Sequence, residues 1–205
     1  MSERSSNSLK QRVAREAASL LYTFQENEYK QAKLRAARTL GIRFLPSNAQ
    51  VANELDEIAD EMEGSTRREK LLQLRREALE IMKALKGLHP KLIGSVWRGT
   101  AHRDSDIDIV AFASDPTTVL KSLQYKNFKV AKTEWQSAPK LSRREKSFHI
   151  YILLPSGNQA EVVVRNLERL NEKEKCEIYG DTVTGLNSSQ LERVLAEDTF
   201  KKFVP

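Results

Sequence analysis

Asp106 and Asp108, parted by one apolar residue in the run Ser105-Asp106-Ile107-Asp108-Ile109-Val110, have the types and spacing that could do chemistry. In an extended strand side chains alternate, so both carboxylates share one face, about 7 Å apart, while Ile107 and Ile109 take the other. Like charges held that close repel and resist ionisation unless a cation lies between them. Hard oxygen donors of this kind suit Mg²⁺, which keeps several waters and completes its shell with substrate phosphates. Upstream, Leu92-Ile93 breaks at Gly94-Ser95 and restarts as a helical turn through Val96-Trp97-Arg98. A Gly-Ser turn opening a helix offers backbone N–H groups and a hydroxyl to an anion. The expected arrangement is a strand, a Gly-Ser turn, a short helix and an acidic strand, with phosphate at one half and metal at the other.

Gly94-Ser95, ten intervening residues and Asp106-Ile107-Asp108 resemble the signature of the DNA polymerase beta-like nucleotidyltransferase superfamily. Arg98-Gly99 falls where many members also carry Arg-Gly, and the likeness covers roughly the second half of the chain. The resemblance implies an α+β core with a small mixed sheet, two Mg²⁺ ions, and a nucleoside triphosphate substrate, ATP first. It also implies a third metal-ligating carboxylate on a strand beside the acid pair. Glu161 is the placed candidate: it is the one acid in the run with Val162, Val163 and Val164, where an uncompensated charge is expensive. Asp106, Asp108 and Glu161 are thus the expected catalytic and metal residues, and Gly94, Ser95 and Arg98 the expected nucleotide-binding residues. Gly94 and Ser95 would hold the triphosphate and Arg98 would neutralise its charge; packing against the helix is the other reading of Arg98.

The elements that must hold these residues follow from periodicity and punctuation. Phe148 to Leu154 reads as a strand, Pro155-Ser156-Gly157-Asn158 as a turn and Gln159 to Arg165 as the returning strand. His149 reads there as a sheet residue rather than a base. Asp115-Pro116-Thr117 opens a short helix after the acidic strand, and Ser188 is the expected cap of a last helix from Ser189 through Leu195. Before the core, residues 1–88 read as an α-helical N-terminal region of about three helices, with residues 89–205 as the nucleotidyltransferase domain. The first helix is expected from Ser8 to Leu40, a stretch without Pro or Gly, and Gly41 stops it. The second starts at Ser47 or Asn48 and presents Val51, Leu55, Ile58 and Met62, and the third runs from Thr66 to Gly87.

Composition narrows the class. With 205 residues, 40% of them hydrophobic, the chain can build one good core or one small domain plus a helical extension. No apolar run of 18 residues and no signal-peptide core is present, so the sequence reads as soluble, cytoplasmic and without a membrane partner. Cys176 is the lone cysteine, which excludes an internal disulfide and a cysteine-cluster metal site. The net charge of +6 favours an anionic partner. Ser8 to Arg43 carries a local excess of five positive charges, and the helix after it holds six acids and no base. Either the two pair across their faces or the first helix binds RNA, with Tyr22, Phe24 and Tyr29 stacking or packing. The segment from Lys121 to Lys146 interleaves bases with Tyr125, Phe128 and Trp135, a composition suited to single strands; Lys140, Arg143 and Arg144 are the expected nucleic-acid contacts.

The reading is nucleotidyl transfer from a nucleoside triphosphate to a hydroxyl, with RNA, such as a tRNA 3′ end, as acceptor. Two alternatives stay open: an antitoxin-like protein that adenylylates a protein partner or a small-molecule transferase, and a catalytically silent RNA-binding module.

Overall fold

The stretch from Ser8 to Leu40, expected as one helix, is two. In the computed structural model, which describes residues 3–137 and 146–205, α1 (Glu3–Tyr22) ends and α2 (Tyr29–Thr39) begins across a turn where Phe24 has φ of +55°. The Gln25 amide reaches back to the Leu20 carbonyl at 2.9 Å and the Phe24 amide to Leu21 at 3.1 Å, the paired bonds of a Schellman C-cap. That position is usually a glycine, so nothing in the composition marks the stop. α3 (Asn48–Glu63) is closed by a capping box in which Ser47 Oγ accepts from the Gln50 amide and Gln50 Oε1 from the Ser47 amide. Small α1 residues, Ala14, Ala17 and Ala18, let Val51, Ile58 and Ala59 of α3 share their core. The opposite charges of these two helices do pair: Arg15 faces Glu54, Glu57 and Glu61. Tyr22 is buried and its hydroxyl donates to Glu63 Oε1 at 3.0 Å, and Tyr29 packs on the same core; Phe24 is exposed.

The chain forms two compact units, one of residues 1–67 with 175–181 and residue 205, the other of residues 68–174 with 182–204. Residues 68–88 thus group by contact with the sheet. The cause is α4 (Ser65–Ala84), whose Leu71, Leu74, Ala78, Ile81 and Met82 lie in the same core as the sheet.

In the second unit β1 (Lys91–Ile93) leads into α5 (Gly94–Arg98), β2 (Ile107–Phe112) and α6 (Pro116–Tyr125). The sheet continues with β3 (Lys129–Ser137), β4 (Lys146–Leu153) and β5 (Gln159–Arg165), and the chain closes with α7 (Ser188–Glu197). Strand order is β1-β2-β5-β4-β3, antiparallel except for the central β2–β5 pair. This is the expected α+β class with a small mixed sheet. Ile107, Ile109, Ile150, Ile152, Val162 and Val164 bury one face against α4 and α6 residues such as Val119 and Leu123. α7 is capped by Asn187 rather than Ser188, because Asn187 and Gln190 form the reciprocal capping box one residue earlier.

One buried side chain ties α4 to the segment that carries the Gly-Ser turn. Arg75, with no exposed surface, donates to the carbonyls of Val96, Trp97, Thr199 and Lys201. Burial lowers its pKa to about 10, still high enough to keep it charged at neutral pH. Arg75→Met would leave four carbonyls without these donors, so a stability loss of about 3–5 kcal/mol is expected in denaturant unfolding. A loss below about 1 kcal/mol would show that α5 and the C-terminal segment hold together without it.

Candidate active site

β1 and β2 pair with Ile93 opposite Asp108, which sets Gly94 over the Asp108 side chain. Gly94 has φ of +69°, and a Cβ on it would stand 2.0 Å from Asp108 Oδ2 and 2.9 Å from its Cγ. Only glycine allows both the backbone conformation and that approach. Ser95 follows in the first turn of α5, half-buried. Asp106 stands one residue before β2, and Asp108 pairs across the parallel ladder with Glu161 of β5. The three expected carboxylates are therefore on neighbouring strands at one end of the sheet.

Their electrostatics are unfavourable to one another. Burial, with Asp106 and then Glu161 adding negative charge, pushes the Asp108 carboxyl up to about 7. Asp106 is also raised, chiefly by burial and further by Glu161, against the opposing pull of its own backbone hydrogen bond and of His102. The Glu161 Oε1 meets His149 Nδ1 at 2.6 Å, and His149 Nε2 lies 2.7 Å from Ser147 Oγ. With the serine hydroxyl donating to Nε2, Nδ1–H donates to the carboxylate and its orientation is held. Tyr151, the Cα partner of Glu161, donates its hydroxyl to Glu134 Oε1 at 2.8 Å. Burial, and then that bond, raise the tyrosine's pKa.

Among the described residues, no three His, Cys, Asp or Glu side chains gather into a metal cage. The donor set fits Mg²⁺ in another way. Two adjacent carboxylates that resist simultaneous ionisation gain most from a divalent cation, and Mg²⁺ takes one or two carboxylates and fills the rest of its shell with water and phosphate.

Arg98 is 5% exposed, donates from Nη1 to the Phe203 carbonyl at 2.8 Å and lies over the Trp97 ring at 4.5 Å. These contacts agree with the packing reading of Arg98, tying α5 to the C-terminal segment. Lys140, Arg143 and Arg144 lie outside the described residues. The β3 and β4 ends that flank them, Ser137 paired with Lys146, stand five residues along β3 from the Lys132–Tyr151 rung, roughly 17 Å away. His149 is a strand residue as read, but its bond to Glu161 was missed. The signal was present: the Pro155–Asn158 turn sets Tyr151 opposite Glu161, so His149, two residues away, must share that carboxylate's face.

A family model described as a nucleotidyltransferase domain matches residues 75–183, just over half of the chain. The chain belongs to this family. Gly94, Ser95, Asp106 and Asp108, whose spacing carries the resemblance, fall inside the matched segment, and the resemblance is borne out at the level of the family. No curated protein matches the sequence. Similar solved structures include a cytoplasmic RNA terminal U-transferase, 15% identical over 58% of this chain and 34% of that one, with a TM-score of 0.35. The Cid1 poly(U) polymerase with MgGTP bound is 17% identical over 58% and 39% (TM-score 0.37). The GLD-2/RNP-8 complex is 16% identical over 58% and 44% (TM-score 0.34). The chain thus spans less than half the length of each. No helix among the described residues is long and apolar enough to cross a membrane.

Proposed function

We propose that this nucleotidyltransferase domain transfers a nucleoside monophosphate from a nucleoside triphosphate, ATP first, to the 3′ hydroxyl of an RNA, a tRNA end being one such acceptor. The observation that carries the reading is the approach of Gly94 to Asp108, which brings the phosphate-type turn against the acid pair. Asp106 and Asp108 would hold Mg²⁺, two ions in all with Glu161 completing the set, and Gly94 and Ser95 would bind the triphosphate. Bound Mg²⁺ would supply charge neutralisation at the phosphates. The acceptor oxygen bonds to the α-phosphorus, the bond from that phosphorus to the bridging oxygen breaks, and pyrophosphate leaves with the electron pair. Glu161, steadied by His149, would take the proton of the attacking hydroxyl. The net charge of +6 supports a polyanionic acceptor over a neutral one.

Glu161→Gln keeps an oxygen for His149 and should preserve the fold. Its transfer rate should fall on the order of 10²–10³-fold, as removal of a base and ligand costs. The measurement is incorporation of labelled nucleoside triphosphates into total RNA and total protein, wild type beside variant. Label in protein alone would replace RNA with a protein acceptor, and equal incorporation by the variant would remove Glu161 from the site.

A further inference from the structure

The sheet that bears the carboxylates ends in basic residues at its β3 edge. Lys129 pairs with Leu153 and Leu153 with Gln159, while Ile107 pairs with Ala160, so Asp106 lies at the level of the Lys129–Leu153–Gln159 rung. Three strand spacings place the β3 edge about 14 Å from Asp106. At that edge lies a groove of about 540 Å³ whose lining includes Lys126, Asn127, Phe128, Lys129, Leu154 and Pro155. Asn127 turns the chain there with φ of +61°, which exposes Lys126 and Lys129 together. Among the described residues neither ammonium group is paired with a carboxylate. Beside them Tyr125 is 83% exposed, and Lys126 Nζ lies 5.7 Å from the centre of its ring.

We propose that this groove binds the phosphodiester backbone of single-stranded RNA upstream of the reacting 3′ end, with Lys126 and Lys129 on phosphates and Tyr125 stacking on a base. Unpaired cations, an apolar wall and an open aromatic ring are the features that single strands use, cations meeting phosphates and the ring meeting a base face. The rung leading from Lys129 to Asp106 gives the strand a route across β4 and β5 to the carboxylates. Lys132, by contrast, is committed to Glu134 at 2.6 Å. The assignment rests on the RNA reading above and adds where the acceptor lies.

The test uses the full chain and a labelled 12-nucleotide single-stranded RNA across a salt series, with wild type, the double variant Lys126→Glu/Lys129→Glu, and Tyr125→Ala. MgATP binding is followed in parallel to report on the fold and the carboxylate end. For the double variant, affinity at low salt should fall on the order of tenfold or more. Its slope of log affinity against log salt should flatten by about 1.4, at about 0.7 for each lost phosphate contact. Tyr125→Ala should weaken binding with an unchanged slope, and all variants should bind MgATP as wild type does. RNA binding by wild type with the same slope in the double variant overturns the groove alone. No RNA binding by wild type at low salt, with MgATP still bound, overturns the RNA acceptor itself and the groove with it.

Discussion

Asp108→Asn should lower nucleotidyl transfer by a factor on the order of 10³ or more and, in the absence of divalent cation, make the protein more stable at neutral pH. The activity loss follows if the side chain holds Mg²⁺, since charge stabilisation worth about 4 kcal/mol corresponds to three decades in rate. The stability gain follows from the carboxyl itself. Its folded-state pKa is raised to about 7 from 3.8, mainly by burial and then by Asp106 and Glu161. Between those values the folded chain holds a proton that the unfolded chain has released. The contribution is therefore fully present below about pH 4 and is lost as pH rises through about 7, by at most about 4 kcal/mol. Asparagine carries no such proton, so the metal-free variant should lose less stability than wild type between about pH 4 and 7. Asp106, raised in the same direction, leaves some slope in both. Saturating Mg²⁺ should flatten the wild-type curve, because metal replaces the proton. Thermal melts across pH with and without Mg²⁺, beside turnover, check each part. Wild-type turnover in the variant would rule out Asp108 as a metal ligand, and parallel melting curves would rule it out as the titrating group.

Most of what positions the carboxylates could be read locally. The β4–β5 hairpin follows from alternating apolar residues around Pro155-Ser156-Gly157-Asn158, and that register alone sets Glu161 beside Tyr151. The start of α6 follows from Asp115, whose side chain accepts from the Thr117 amide ahead of Pro116. The missing parts depend on tertiary context. Phe24 stops α1 in a conformation that an L-residue adopts only when the surrounding chain compensates it, so helix propensity runs through the break. Arg75 sits in a helix with Arg76 beside it, and nothing in the sequence distinguishes the buried guanidinium from its neighbour. Arg98 illustrates the same limit at the site, for its motif position suggested phosphate while its partner, the Phe203 carbonyl, is 105 residues away. The grouping of α4 with the sheet is hidden in the sequence for a related reason. α4 carries apolar residues on a helical period whichever unit it joins, and only the contacts of Leu71, Leu74 and Ile81 assign it to the sheet.

Gly94→Ala should leave a folded protein with little activity, because two separate costs arise at one atom. The first is backbone strain: φ of +69° costs an L-residue about 1–2 kcal/mol, which thermal or denaturant unfolding would register. The second is steric. The new Cβ would lie 2.0 Å from Asp108 Oδ2, closer than any real contact, and the group in its way is a side-chain carboxylate rather than backbone. A carboxylate can rotate aside, so the fold survives, but rotation carries its oxygens away from the turn that would hold the triphosphate. Displacement of a reacting constellation by about 1 Å costs on the order of 10²-fold in rate, and the Mg²⁺ concentration needed for half-maximal activity should rise with it. Gly41→Ala separates the two costs: Gly41 has a similar φ of +66° with nothing within 4 Å of its Cβ position. It should lose comparable stability and keep full transfer activity. If Gly94→Ala and Gly41→Ala lost the same stability and both turned over at the wild-type rate, the closeness of Gly94 to Asp108 would be a packing detail without catalytic consequence.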